Sequence, residues 1–120
     1  MKYFMQAQEN GGLSICDLLL FLGLTDKYVG FYYTADAVRL VMERPERIFL
    51  ITKNVYMETA ETYGTTWNAV ERGIRCTITK LWEADPEYFQ KKLKLPLYEK
   101  PTPAKFIAVL SMYCATVLGN

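Results

Sequence analysis

The 120 residues, 51% of them hydrophobic, are enough for one domain with a packed core, which excludes a disordered chain. The chain has no histidine and no Cys-x-x-Cys pair, so a Cys/His zinc site and triad chemistry are excluded, and neither an enzyme nor a cofactor is expected. The net charge is only +1, so any surface that binds nucleic acid must come from local clustering of basic residues.

The beginning of the chain predicts a flexible arm and a short helix. Residues 1–12 end in two glycines and are expected to form a loose N-terminal arm, which leaves residues 13–120 as a single helical domain. Ser14 is expected to open an apolar helix over residues 15–22, and Gly23 should stop it.

Two further helices are expected before residue 65. Thr25 is a plausible N-cap for a helix that continues to Glu43, because apolar residues recur there at steps of three and four. Gly30 interrupts this pattern and indicates either a close helix crossing or a kink. Apolar residues at similar spacing predict a third helix that begins at Pro45 and ends at Gly64.

The rest of the chain predicts three more helices. Thr66 supplies a cap for a fourth helix to residue 83, and Pro86 begins a short basic helix to about residue 93. Thr102 followed by proline should cap the last helix, which ends at Gly119. No segment makes a convincing strand. The fold class is therefore all-α, a compact bundle of about six helices.

The third and fourth predicted helices form a candidate helix-turn-helix. This motif needs a small residue where its helices cross, a residue that tolerates a tight turn, and an apolar anchor on the second helix. Ala60, Gly64 and Val70 meet these needs at the spacing of four and then six residues that is usual for the motif.

The fourth helix divides into two faces at helical spacing. The inward stripe is predicted to contain Val70, Ile74, Ile78 and Leu81. The outward stripe should contain Asn68, Glu71, Arg72, Arg75 and Thr79. Arginine can donate two hydrogen bonds to guanine, glutamate can accept from cytosine, and asparagine can pair with adenine. We therefore predict base contacts by Asn68, Glu71, Arg72 and Arg75, and backbone contacts by Thr65, Thr66 and Lys80.

A plainer interpretation of the same residues remains open. Glu71 and Arg75 are four residues apart and could form a solvated salt bridge with no further role. Trp67 and Trp82 are expected to be packing groups, and Cys76 a half-buried residue on the flank of the helix. The three lone thiols suit a reducing cytoplasm, and no apolar run reaches the roughly 18 residues that a membrane helix needs.

Three blocks of residues form a recognisable pattern that runs from about residue 14 to residue 116. They are Leu19 to Leu24 with Val29 to Tyr32 and Ala37-Val38; then Ile51 to Lys53, Tyr56, Thr65-Thr66, Val70 to Arg75 and Trp82; and last Lys100 to Thr102 with Phe106 to Ala108. In this pattern the chain resembles the C-terminal DNA-binding domain of the sporulation initiation response regulator, the stage-zero protein A family of spore-forming Firmicutes.

The resemblance implies a six-helix domain with a helix-turn-helix that controls transcription from short promoter elements, usually in tandem pairs. Double-stranded DNA would be the partner, bound by a homodimer, and there would be no membrane association. Glu71 and Arg72 match the family's base-reading pair, and Arg75 matches a further DNA contact. The segment of about residues 84–97 corresponds to the part that faces the RNA polymerase sigma subunit, although its sequence differs here.

The chain also departs from the family pattern. The family proteins carry an N-terminal receiver domain that this sequence does not show, so the domain either stands alone or belongs to a longer protein. Trp67, Asn68 and Ala69 replace small residues and an arginine, and Cys76 replaces a histidine. These changes and the low net charge favour an alternative: a protein-interaction module on the same fold, such as an inhibitor of a full-length regulator.

Overall fold

The computed structural model describes residues 15–93 and 99–118, and all regular structure in these two ranges is helical. The predicted all-α bundle of about six helices is confirmed. The six helices are α1 (Ile15–Phe21), α2 (Val29–Glu43), α3 (Met57–Tyr63), α4 (Trp67–Ala84), α5 (Pro86–Leu93) and α6 (Pro103–Leu118). A 3₁₀ helix (Pro45–Leu50) and a π-helix (Thr52–Tyr56) connect α2 to α3.

The predicted arm of residues 1–12 lies outside the described residues. Among the helices that the structure describes, none is both long enough and apolar enough to cross a membrane.

Helix α2 lies at the centre of the molecule. Ten of its 15 residues are buried, as expected for a helix with neighbours on several sides. It packs against α4 on one side and α6 on another, while α1 covers a third. The largest fully buried side chains include Phe31 of α2, Ile74 of α4 and Phe106 of α6, so these three helices enclose one core.

Of the two possibilities left open at Gly30, the structure has the close crossing, because α2 continues as one helix from Val29 to Glu43 and meets α4 at this glycine. A Cβ atom on Gly30 would overlap the carbonyl oxygen of Gly73 and the hydroxyl of Thr77. A Cβ on Gly73 would lie 2.8 Å from Cδ2 of Tyr33. The two helices therefore touch backbone to backbone, which fixes the position of α4 on the core.

Several helix ends follow the local signals in the sequence. Gly23 and Gly64 both have positive φ angles, 102° and 64°, which glycine adopts without a steric penalty. The side chains of Thr66 and Thr102 each accept a hydrogen bond of 3.2 Å from the backbone N–H three residues on. The turn before α4 and the start of α6 are therefore where the sequence placed them.

Two predicted boundaries are wrong. The hydroxyl of Thr25 accepts from the N–H of Lys27, so it closes a turn, and α2 begins four residues later, with Tyr28 as its N-cap. The single helix expected from Pro45 to Gly64 is three consecutive helices of different hydrogen-bond pattern. Apolar spacing does not distinguish these patterns, and the 3₁₀ part contains no buried residue to hold an α-helical register.

Candidate nucleic-acid interface

Helices α3 and α4 form the helix-turn-helix that the sequence predicts. Ala60 and Val70 are buried where the two helices meet, and Gly64 occupies the left-handed conformation between them. The N–H of Gly64 donates to carbonyl oxygens near the end of α3, and the N–H of Thr65 donates to Ala60 O at 2.9 Å. These bonds satisfy the end of α3 and set the angle at which α4 leaves the turn.

Helix α4 has one buried face and one exposed face. The predicted inward residues are all buried: Val70, Ile74, Ile78 and Leu81. On the opposite side, Asn68, Arg72, Arg75 and Thr79 fall within an arc of about 60° when helical positions are spaced by 3.6 residues per turn. Of these, Asn68, Arg72 and Arg75 are exposed, and Thr79 is half-buried. We call these four residues and the half-buried Glu71 beside them the outer face of α4.

The outer face contains one ion pair and one arginine that has no partner among the residues that the structure describes. Arg75 Nη2 lies 2.9 Å from Glu71 Oε1, with the two side chains 57% and 33% exposed, so the solvated salt bridge considered above is present. Such a pair stabilises a helix by about 0.2–0.5 kcal/mol. Within residues 15–93 and 99–118, no hydrogen bond or ion pair engages Arg72. By contrast, Arg39 on α2 is bound to Asp36 and Glu43.

Tyr56, the last residue of the π-helix, is buried and responds to the charges of this ion pair. Burial raises the pKa of the Tyr56 phenol, the carboxylate of Glu71 raises it further, and the charge of Arg75 opposes the change. The phenol is therefore neutral at physiological pH, and both partners of the ion pair act on its pKa. Sequence analysis placed Tyr56 in the recognisable pattern but gave it no place near the outer face.

A lysine that sequence analysis left out of the site lies at the C-terminal end of the outer face. Lys100, in the segment before α6, donates from Nζ to the hydroxyl of Thr79 at 3.0 Å. Arg72, Arg75 and Lys100 thus add three positive charges to a face with one carboxylate, Glu71. The net charge of the whole chain conceals this local excess.

Lys80 lies on the flank of α4 instead. Its ammonium group is 4.6 Å from the ring centroid of Tyr28 at the start of α2, a cation–π contact. Its position is about 100° around the helix from the centre of the outer face. The structure therefore brings Asn68, Glu71, Arg72 and Arg75 together and leaves Lys80 to one side.

The turn before α4 presents the two predicted threonines. Thr66 is exposed and caps α4 by accepting from the N–H of Ala69, while Thr65 is half-buried. Thr65 and Thr66 lie at the N-terminus of α4, where the helix dipole is positive and the first backbone N–H groups have no acceptor within the helix. A phosphate group is the kind of ligand that such an end favours.

Two expectations about α4 are wrong. Cys76, expected to be half-buried, is exposed. Trp67, expected to be a packing group like Trp82, is 40% exposed at the first position of the helix. Trp82 does pack against the core. Helical spacing alone places Trp67 within the buried stripe, in line with Ile74 and Ile78, but no neighbouring helix covers that end of α4 fully.

The family comparison agrees with this architecture. The family model described as sporulation initiation factor Spo0A C terminal matches residues 15–114, which include α1 to α5 and most of α6. The chain belongs to this family. The Spo0A C-terminal family consists of DNA-binding domains of a transcription regulator of sporulation, so DNA binding is the family's function and catalysis is not.

Proposed function

We propose that this chain is a sequence-specific transcription regulator that places the outer face of α4 in the major groove of DNA. The observation that carries the proposal is the division of α4 into a buried apolar stripe and a polar stripe on which Asn68, Arg72 and Arg75 are exposed. Because its buried face fixes α4 on the core, the helix can bind a duplex through its other face with little loss of conformational entropy.

Each outer-face residue has a chemically suited target on the base edges. Arg72 is the candidate for two hydrogen bonds to a guanine, and Glu71 for accepting from the amino group of a cytosine. Asn68 is suited to adenine. Arg75 contacts either a base or the backbone, and its ion pair holds the Glu71 carboxylate in place before DNA arrives.

Four further residues are proposed to contact the sugar-phosphate backbone and so fix the register of α4 on the duplex. Thr65 and Thr66 lie at the positive end of the helix dipole, and Lys80 lies on its flank. Lys100 extends the positive surface beyond Thr79. Such contacts add affinity that depends on salt but do not themselves select a sequence.

The proposed oligomeric state and protein partner are taken from the family that the chain belongs to. Two copies are expected to occupy tandem DNA elements as a homodimer. The segment of residues 84–97, which begins at the end of α4 and includes α5, is the candidate contact for the RNA polymerase sigma subunit. A regulator of this kind works where the chromosome is, so we place it in the cytoplasm.

The alternative is a protein-interaction module with little affinity for DNA. Two observations favour it: the net charge of only +1, and the exposed apolar side chains of the 3₁₀ helix, where Phe49 is 83% exposed. Such a module would form a stoichiometric complex with a full-length regulator of the family and would not be retained by duplex DNA at low salt.

A salt titration with two arginine variants tests the proposal. A duplex that the wild type prefers is first selected from a random-sequence library. The affinity for this duplex should fall steeply as salt rises, because phosphate contacts release counterions. Arg72→Ala should lose about 1–3 kcal/mol of discrimination at one base pair. The control, Arg44→Ala, removes the same charge from an exposed arginine outside the motif and should retain the preference. A salt-independent affinity, or equal effects of the two variants, would contradict the proposal.

A second prediction concerns Lys100. Lys100→Ala should weaken binding to all duplexes by a similar factor and reduce the slope of log K against log salt by about 0.9 unit, as expected for one lost phosphate contact. Lys100→Arg keeps the charge and should keep the slope. If Lys100→Ala left the slope unchanged, the lysine would serve only as a partner of Thr79.

A further inference from the structure

Trp67 is a large apolar side chain that the fold leaves partly uncovered at the N-terminal end of α4. It is the first residue of α4 and 40% exposed, whereas Trp82 on the same helix packs against the core. Its neighbours Thr66 and Asn68 are also exposed. The indole therefore borders the polar residues proposed to contact DNA without being part of the core.

The geometry of a helix directs this side chain toward the end that enters the groove. Cα–Cβ bonds tilt toward the N-terminus of a helix, so Trp67 leans over the turn formed by Thr65 and Thr66. Trp67 also lies one helical turn before Glu71 and about 40° from it around α4, in line with Ile74 and Ile78 but at the end of the helix that the core leaves partly uncovered. In helix-turn-helix proteins, the N-terminal residues of the second helix are those that contact base edges.

The chemistry of the indole limits what it can contact there. It offers a broad apolar surface and a single N–H donor. The edges of the bases in the major groove are hydrogen-bonding groups with one apolar exception, the C5-methyl group of thymine. An indole placed against the polar edges alone would desolvate donors and acceptors that it cannot satisfy, and this is unfavourable.

We propose that Trp67 is a specificity-determining residue that covers the C5-methyl group of a thymine next to the bases contacted by Glu71 and Arg72. This inference rests on the proposed function of α4 and adds to it the recognition of an apolar group. Exposure of the indole in the free protein then has a reason, since the surface is buried when the duplex binds.

The test removes the methyl group alone. Duplexes are selected from a random-sequence library with the 120-residue chain, and each thymine of the selected duplex is replaced in turn by deoxyuridine. At one position the replacement should weaken wild-type binding about fourfold, the effect of burying one methyl-sized group. Trp67→Ala should bind the thymine duplex at least that much more weakly and should not distinguish thymine from deoxyuridine at that position.

Two variants serve as controls. Trp67→Phe keeps an apolar ring and should keep the sensitivity to deoxyuridine. Phe49→Ala removes an exposed aromatic ring that lies outside α3 and α4, and it should bind both duplexes like the wild type. Circular dichroism of Trp67→Ala should show the helical content of the wild type at the temperature of the binding assay, so that a loss of binding is not a loss of folding.

The outcomes separate this inference from the proposed function. If the wild type binds DNA with the expected salt dependence and Arg72→Ala relaxes specificity, but Trp67→Ala responds to deoxyuridine as the wild type does, the thymine contact is refuted and the proposed function stands. The thymine contact is also refuted, and the proposed function stands, if deoxyuridine weakens wild-type binding at no position or if Phe49→Ala weakens binding as much as Trp67→Ala. If the wild type shows no DNA binding at low salt, both proposals fail.

Discussion

We expect Gly30→Ala to lower the free energy of unfolding by about 3 kcal/mol, the upper part of the range for overpacking a close contact. The new methyl group would overlap the backbone carbonyl of Gly73, which no side-chain rotation can relieve, and also the hydroxyl of Thr77. Helices α2 and α4 would have to separate along their contact. Urea unfolding followed by circular dichroism would show the loss as a lower midpoint with an unchanged slope.

The other glycines provide matched controls for this prediction. At Gly64 a Cβ atom would meet nothing within 4 Å, so Gly64→Ala should cost only the strain of a positive φ, about 1–2 kcal/mol. Gly73→Ala should fall between the two, because the atom in its way belongs to the Tyr33 ring, which can move. Helix propensity alone would make Gly30→Ala more stable by about 1 kcal/mol. Unchanged or increased stability would therefore contradict the proposed close crossing.

The second large effect is expected at Ile74, on the buried face of α4. Ile74→Ala should lower the free energy of unfolding by about 2–5 kcal/mol, since the side chain is fully buried and its removal leaves a cavity between α4 and α2. Thermal and urea unfolding would both report the change.

Arg72→Ala, two residues away on the opposite face, is the control for this second prediction. Its stability should stay within about 0.5 kcal/mol of the wild type, because the side chain is exposed and holds no protein partner among the described residues. Nearly equal losses for the two variants would mean that the two faces of α4 are not divided as described here.

Much of the fold could be predicted because its helix ends are encoded locally. A glycine in a left-handed conformation, as at Gly64, or a threonine before a helix, as at Thr66 and Thr102, acts on backbone groups only a few residues away. Such signals need no knowledge of the tertiary structure. Thr25 shows that such a signal can mislead. Its hydroxyl closes a turn and does not cap a helix, and α2 begins at Val29.

The segment from Pro45 to Tyr63 was less accessible to prediction. Its apolar spacing is compatible with 3₁₀, α and π hydrogen bonding, which differ by only one residue in the acceptor position. Which of these forms locally depends on how the segment fits against α2 and α4, and that is a property of the whole fold. The same applies to Gly30, where only the presence of Gly73 opposite distinguishes a crossing from a kink.

The candidate site divides in a similar way. The outer face of α4 follows from helical periodicity, so the exposure of Arg72 and Arg75 could be predicted. Lys100 could not, since it reaches Thr79 across 21 residues of sequence. Trp67 could not either, because its exposure depends on which neighbours fail to cover the end of α4.

The cap of α4 has a consequence for which sequences this family member can tolerate at residue 66. The Thr66 oxygen is an acceptor for the N–H of Ala69, and the hydroxyl hydrogen remains available as a donor. Aspartate would cap the helix equally well but would bring a negative charge toward a phosphate. Folding alone therefore permits serine, threonine, asparagine or aspartate at this position, whereas a regulator that also holds a phosphate there excludes aspartate.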